Sequence, residues 1–483
     1  MGYAHQAAVV GAGLSGLVCA YRLKQLGIHP IVLEGAEQPG GMIATVRRNG
    51  FLFEAGPQCP RFPASVWALV MELNLEKEFL YGDPKAKRYI WKQGLLHPAP
   101  FSAVEIMTTR LVDLRSKLRF LGEPFGNTRP PDHEESLAEF VHRKFGSEVL
   151  EYLVDPVIST VFLGDSRKMG MESAFPALVE WERSRGSLVR GAIGGSMAKR
   201  RRADPDGSRT PNRHETNRRR LHLTDALPSL GSFRSGMGIL PEKLSEALGE
   251  SMKYGARAES VEPVRSENGT PMAGWRIRVQ GGEEITAELL VLALPAYVAA
   301  RLLERSAPQL GALLGEIEYA SMCAVSTAYE RDQVSHPLDG SGFMVPRREG
   351  LHTICTFWNS SLFKGRAPDG KVLMTSFAGR DSNGALAVLP DEECAQTIHA
   401  ENTRILGIRG APVDQMVWRY PRALPQYNVG HAKRVTEIQR LLRRFPSLGL
   451  VGNYLTGRSI GDCAELASRV AEDVNSRFRK SNI

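Results

Sequence analysis

Gly11-Ala12-Gly13-Leu14-Ser15-Gly16 is a G-x-G-x-x-G lying between an apolar run at 7–10 and a helical pattern carried by Leu14, Leu17, Val18, Tyr21 and Leu26. Gly27 ends that pattern, and a second apolar run, 30–33, stops at Glu34. Strand, glycine turn, helix, strand and acid is the order of a nucleotide-binding βαβ unit. Each glycine has its own reason. Gly11 permits the tight turn, Gly13 lets backbone approach a pyrophosphate, and Gly16 lets helix and strand pack closely. The free N–H groups at the helix start, around Leu14 and Ser15, attract the phosphates. Glu34 is placed to accept hydrogen bonds from a ribose. Alone the glycines would mark only a tight turn; with both strands and the acid they predict a dinucleotide site.

Two further features select FAD. Gly40-Gly41 follows Glu34 closely, and Phe53-Glu54-Ala55-Gly56-Pro57 comes soon after, where a simple dehydrogenase would pass into its next helix. A second strand–glycine–helix junction lies near the other end of the chain, at 448–451, Gly452 and 462–478. An extended dinucleotide is served by a site built from both ends.

The 483 residues suggest two or three domains. With 42% hydrophobic and 24% charged residues, the core needs no disulfide or metal staple. Six cysteines lie apart with no C-x-x-C, so we expect reduced, mostly buried thiols and no metal site. No run of eighteen apolar residues and no signal-peptide pattern is present, which points to a cytoplasmic protein. Of the net charge of +8, +6 falls between Lys199 and Arg220. That stretch cannot bury enough apolar surface to fold and reads as a flexible loop. It lacks interleaved aromatic residues, so no nucleic-acid partner is expected. Peripheral contact with an anionic membrane surface is the other expectation.

Several segments resemble the flavin amine oxidase superfamily and, within it, the oxygen-dependent protoporphyrinogen and coproporphyrinogen oxidases. Gly40-Gly41-Met42-Ile43-Ala44-Thr45 is similar to that family's G-G-x-I-x-T, and Lys87-Arg88-Tyr89 to its K-R-Y/F. Glu180 and Glu182 ahead of Gly186-Ser187-Leu188 also match, as does the S-G-M-G-x-L-P at Ser235 to Pro241. So do the segment from Ser360 to Pro368, Leu424-Pro425-Gln426-Tyr427-Asn428-Val429-Gly430-His431, and Gly452-Asn453-Tyr454 with Ser459-Ile460-Gly461-Asp462-Cys463. The resemblance implies an α/β fold: a Rossmann-like FAD domain of the two-dinucleotide-binding-domain type, an inserted α+β substrate domain, and a helical, membrane-facing subdomain. The expected division is 1–80, 225–300 and 435–483 for FAD, 81–196 helical, 197–223 basic loop, and 301–434 for substrate.

It also implies roles. Gly11, Gly13, Leu14, Ser15, Gly16 and Glu34 hold the ADP half; Gly40, Gly41, Met42, Ile43, Gly56 and Pro57 line the pyrophosphate and flavin. Ala258 stands against adenine, and Asn453, Arg458, Ser459 and Ile460 are C-terminal FAD contacts. Arg88 holds a porphyrinogen propionate, with Gly342 and Met344 in the pocket. No catalytic side chain is expected, because the flavin carries the chemistry, with O2 or another acceptor taking the electrons. His431 follows a P-Q-Y-x-x-G turn and reads as stabilising it. Departures exist. Thr160 stands at a family glycine, and Ser341 where relatives using protoporphyrinogen have an aromatic. Thr353-Ile354-Cys355-Thr356 is closer to relatives that use coproporphyrinogen. The implied activity is porphyrinogen oxidation in haem synthesis, protoporphyrinogen IX first and coproporphyrinogen III as the alternative. An amine oxidase would carry an aromatic just before the C-terminal motif, where 448–451 has none. A GDP-dissociation inhibitor would not need the intact glycine loop. Oligomeric state is open, a homodimer included.

Overall fold

The computed structural model describes residues 3–126, 131–191, 229–265, 271–379 and 389–481. The basic stretch 199–220 lies outside them. The chain forms two compact units, one of 1–84, 228–319 and 433–483, the other of 85–227 and 320–432.

The first unit is organised by a sheet whose central strands have both faces covered. His5–Val10 pairs in parallel with Pro30–Leu33 on one side and Glu284–Leu292 on the other. Met252–Lys253 and Leu448–Leu450 extend the parallel part. The alternation of side chains across a strand is visible in the packing. Ala7, Val9, Val32, Leu289 and Val291 enter one apolar cluster. Ala8, Val10, Leu33, Leu290 and Leu292 enter another. That is why residues 7–10 form an unbroken apolar run rather than an alternating one. The first cluster takes helices Leu14–Gln25, Ala64–Glu72, Ile239–Leu248 and Ile460–Ser481. The second takes Ala296–Leu303 and Pro308–Gly315. A hairpin turns at Gly281-Gly282, with Pro271–Val279 antiparallel to Glu284–Leu292.

The second unit holds a seven-stranded sheet in the order Asp414–Pro425, Tyr319–Glu330, Lys371–Ala378, Thr353–Phe357, Gly340–Met344, Lys87–Lys92, Leu95–Pro98. One face packs Tyr89, Trp91, Phe343, Val345 and Trp358 into a cluster with Ile405 and Leu406 of helix Asp391–Leu406. Thr356, Ser376 and Asn402 hydrogen-bond one another between that sheet and helix, so the buried polar groups are satisfied. Cys323 and Cys394 lie side by side in a small cluster with Val325 and Ile398. A group of helices belongs to the same unit, among them Leu114–Gly122, Leu137–Phe145, Asp155–Phe162 and Pro176–Arg185. Ser136 and Glu139 cap Leu137–Phe145 reciprocally.

Candidate flavin and substrate sites

The three glycines of the opening loop are not equivalent. Gly11 sits at φ +102°, and a Cβ there would lie 2.5 Å from the Ala293 carbonyl oxygen. A Cβ on Gly16 would lie 1.9 Å from the Gly11 carbonyl oxygen. These two are required by the chain itself. Gly13 caps helix Leu14–Gln25 at φ −66° and ψ 169°, and no atom lies within 4 Å of where its Cβ would be. Nothing in the described fold therefore requires glycine at this position.

The second glycine pair lies against the first loop. Gly40 N–H donates to the Ala12 carbonyl at 2.8 Å, and Gly13 and Gly40 form a parallel bridge. Gly40 (φ +112°) and Gly41 (φ +61°) both occupy conformations that favour glycine. A Cβ on Gly56 would lie 2.3 Å from the Met42 carbonyl oxygen, which presses the Gly56-Pro57 turn onto Met42 and Ile43. The S-G-M-G segment closes this region. Met237 N–H donates to Glu54 Oε1 at 2.8 Å, Gly238 N–H to Thr45 Oγ1 at 2.9 Å, and Thr45 Oγ1 to Glu54 Oε2 at 2.6 Å.

Glu34 does more than sequence reasoning assigned to it. Its Oε2 accepts from Ala12 N–H at 2.6 Å and its Oε1 from Ala36 N–H at 2.9 Å. The carboxylate therefore holds the glycine loop, and each oxygen keeps a lone pair for a sugar hydroxyl. Ala256 N–H donates to the Glu34 carbonyl at 2.7 Å, which brings Ala258 to the same strand ends.

The C-terminal motif completes this group. Val451 N–H donates to the Leu292 carbonyl, and the chain then passes through Asn453 and Arg458 to Ser459. Ser459 Oγ accepts from Asp462 N–H at 3.1 Å while Asp462 Oδ2 accepts from Ser459 N–H and Oγ. Ser459 is thus the cap of the helix that starts at Ile460. Ser15 lies beside Cys463, whose thiol burial pushes up to about 11. The N-terminal ends of two helices, from opposite ends of the chain, therefore meet. A flavin dinucleotide fits these residues on two observations: the glycine cradle that a Cβ on Gly13 would invade, and Thr456 Oγ1, buried with no hydrogen-bond partner among the described residues.

In the second unit the register brings Arg88, Gly342 and Met344 together. Gly342 pairs with Arg88 and Met344 with Ile90 in the parallel ladder. Across the next ladder Met344 pairs with Cys355 and Gly342 with Phe357, and Cys355 then pairs with Phe377. Directly paired residues share a face. Since Tyr89 and Phe343 point into the helix-covered cluster, the opposite face carries Arg88, Ile90, Met344, Cys355, Phe357 and Phe377. Phe357 and Phe377 meet edge to face at 5.9 Å. The Arg88 guanidinium lies 5.3 Å from the centre of the Phe101 ring. Gly342 also has a backbone reason: at φ +137° its Cβ would lie 1.9 Å from the Thr356 carbonyl oxygen. Lys87 and Tyr89 both bond Asp339, which holds that carboxyl below its usual range.

Other matched segments are structural. Glu182, buried, bonds Arg143 at 2.9 Å and Lys144 at 2.8 Å, and Arg143 also bonds Glu135. Glu123 accepts from the Leu188 N–H and the Ser187 hydroxyl. The partners Arg143, Lys144 and Glu123 escaped sequence reasoning, although His142-Arg143-Lys144 after a capped helix start was a visible signal. His431 is buried and stacks on Tyr427 at 4.5 Å, and its N–H closes the turn on Asn428.

Residues 14–475 match the family described as flavin containing amine oxidoreductase. The chain is 30% identical over 481 residues to a Nicotiana tabacum protein named protoporphyrinogen oxidase, chloroplastic, covering 96% of this chain and 84% of that one. It is 25% identical to a Bacillus subtilis (strain 168) protein named coproporphyrinogen III oxidase, covering 96% and 97%. A crystal structure from Exiguobacterium sp. 255-15 superposes with a TM-score of 0.78 at 22% identity, over 98% of this chain and 100% of that one. The glycine cradle, the paired helix ends and these likenesses agree, and the chain belongs to the flavin containing amine oxidoreductase family.

Proposed function

We propose that the protein oxidises a porphyrinogen to a porphyrin in haem synthesis, protoporphyrinogen IX being the preferred substrate. The observation that carries this reading is the apolar sheet face ending in Arg88. A porphyrinogen is apolar across its ring and anionic at its propionates. It needs an apolar slot with a cation at the mouth. Arg88 pairs with a propionate, for which a planar guanidinium is suited. Ile90, Met344, Phe357 and Phe377 keep water from the ring. FAD, when bound, supplies the capacity to accept hydride. In the first unit Gly13 and the N–H groups at the start of helix Leu14–Gln25 bind its phosphates, and Glu34 its ribose. Residues 1–80, 225–300 and 435–483 serve the cofactor in this reading, and 301–434 the substrate, together with strands Lys87–Lys92 and Leu95–Pro98, which join the same sheet. The net reaction removes six hydrogens from the porphyrinogen, and three O2 leave as three H2O2.

Coproporphyrinogen III is the second reading, supported by the Bacillus subtilis protein, whose whole length this chain nearly spans. Rates on the two porphyrinogens, followed by porphyrin fluorescence and peroxide, separate them. A protein that stays colourless after reconstitution with FAD overturns both.

We further propose peripheral contact with an anionic membrane. Among the described residues no helix is long and apolar enough to cross a membrane. Helix Leu114–Gly122 instead exposes Leu114, Leu118 and Leu121 at 70%, 59% and 51%, one stripe at i, i+4 and i+7. Arg115, Lys117 and Arg119 lie on the same helix. Apolar residues turned outward and flanked by cations suit a helix lying in a lipid interface. Cosedimentation with phosphatidylserine vesicles tests it.

A further inference from the structure

We propose that His97 and Arg88 form a two-point carboxylate site on the substrate face of the second unit, His97 taking the propionate next to the one held by Arg88. This rests on the porphyrinogen reading. Strand Leu95–Pro98 pairs antiparallel with Lys87–Lys92, with His97 directly opposite Ile90. Leu96 packs against the helix-covered cluster with Trp91. His97 therefore lies on the other face, with Ile90, Arg88 and Met344. Ala99 N–H donates to the Arg88 carbonyl at 2.8 Å, so the ladder runs on one more row. Arg88 and His97 are then diagonal neighbours, about 7–8 Å apart by strand geometry. Two carboxylates on adjacent short chains of one macrocycle span such a distance.

The charges around His97 favour an anion. Burial, then Lys92 and Arg110, hold its imidazole below the usual range. Lys92 is tied to the Leu111 carbonyl at 2.8 Å and lies 3.9 Å from Glu148. Arg110 is exposed. A carboxylate placed at His97 offsets these cations and draws a proton onto the ring. Binding is then coupled to proton uptake, and affinity rises as pH falls from the bound pKa towards the free one.

The test uses the FAD-loaded protein and two probes, protoporphyrin IX and its dimethyl ester, with Kd measured by tryptophan fluorescence quenching between pH 8 and pH 6. For the wild type, Kd for the dicarboxylate should fall by about tenfold over that range, since one pKa unit corresponds to a tenfold change, while the ester shows no trend. His97→Gln should abolish the slope. His97→Arg, which keeps a cation at every pH, should give tight, pH-independent binding. A slope that survives in His97→Gln, or that the ester shares, overturns this inference alone. A wild type that binds neither porphyrin overturns the porphyrinogen reading and this inference with it.

Discussion

Gly13→Ala separates the glycines that the fold needs from the one that a ligand needs. Nothing lies within 4 Å of the added Cβ, and φ of −66° is open to any residue. As a helix cap, alanine is worse than glycine by roughly 0.5–1 kcal/mol. Stiffening the unfolded chain returns about 0.4–1 kcal/mol. The two terms nearly cancel, so apo stability should stay within about 0.5 kcal/mol of wild type. The methyl group nevertheless stands where a pyrophosphate must approach. Losing one charge-assisted hydrogen bond there costs about 1.5–3 kcal/mol, which raises the Kd for FAD by roughly 10- to 150-fold. Gly16→Ala should behave oppositely: its Cβ meets the Gly11 carbonyl oxygen at 1.9 Å, and the fold itself should lose about 1–3 kcal/mol or more. Urea unfolding of the apoproteins and titration of FAD fluorescence give both quantities. Wild-type FAD affinity in Gly13→Ala would refute the assignment, and so would a loss of apo stability matching that of Gly16→Ala.

Arg88→Ala should raise KM about tenfold or more and leave kcat nearly unchanged, because the guanidinium binds substrate without taking part in hydride transfer; steady-state porphyrin fluorescence measures both. Glu182→Leu takes one buried partner from both Arg143 and Lys144, which keep Glu135 and Glu123, and should cost about 1.5–3 kcal/mol in urea unfolding. Glu123 should make stability depend on pH. Burial raises its pKa, but the N–H groups of Leu188 and Val189, the Ser187 hydroxyl and Lys144 together outweigh that and leave it lowered. A lowered folded pKa gives stability that is complete above the unfolded value near 4.5 and lost as pH falls through the folded value. Unfolding curves from pH 7 down to pH 3 should show that decline, and Glu123→Gln should flatten it. Leu118→Glu should weaken cosedimentation with phosphatidylserine vesicles several-fold while leaving FAD bound, since it puts a charge in the middle of the exposed stripe.

The nucleotide half was legible because its signals are local. Apolar runs, glycines at fixed offsets and an acid at the strand end each follow from backbone geometry within about thirty residues. What sequence reasoning could not reach depends on pairing between distant segments. Glu34 looked like a ribose ligand, and only the fold shows that it also holds Ala12 N–H. Gly342 looked like a pocket residue, yet its first constraint is the Thr356 carbonyl on the neighbouring strand. Nothing in the segment around Arg88 announces that it pairs with Gly340–Met344 or faces Phe357. The buried carboxylate Glu182 matched a family pattern, whereas its partners Arg143 and Lys144, and Glu123 beneath Ser187 and Leu188, came from helices elsewhere in the sequence. The contact between Cys323 on a strand and Cys394 on a helix, 71 residues apart, left no trace in spacing.

The central claim is that this flavoprotein takes its electrons from a porphyrinogen. Anaerobic mixing of the FAD-loaded protein with protoporphyrinogen IX or coproporphyrinogen III, with the flavin absorbance followed in a stopped-flow instrument, tests it most directly. The account predicts that the yellow band bleaches with at least one of the two, that porphyrin fluorescence appears in step, and that admitting oxygen restores the band. A flavin that stays yellow with both porphyrinogens but bleaches with a primary amine would contradict it.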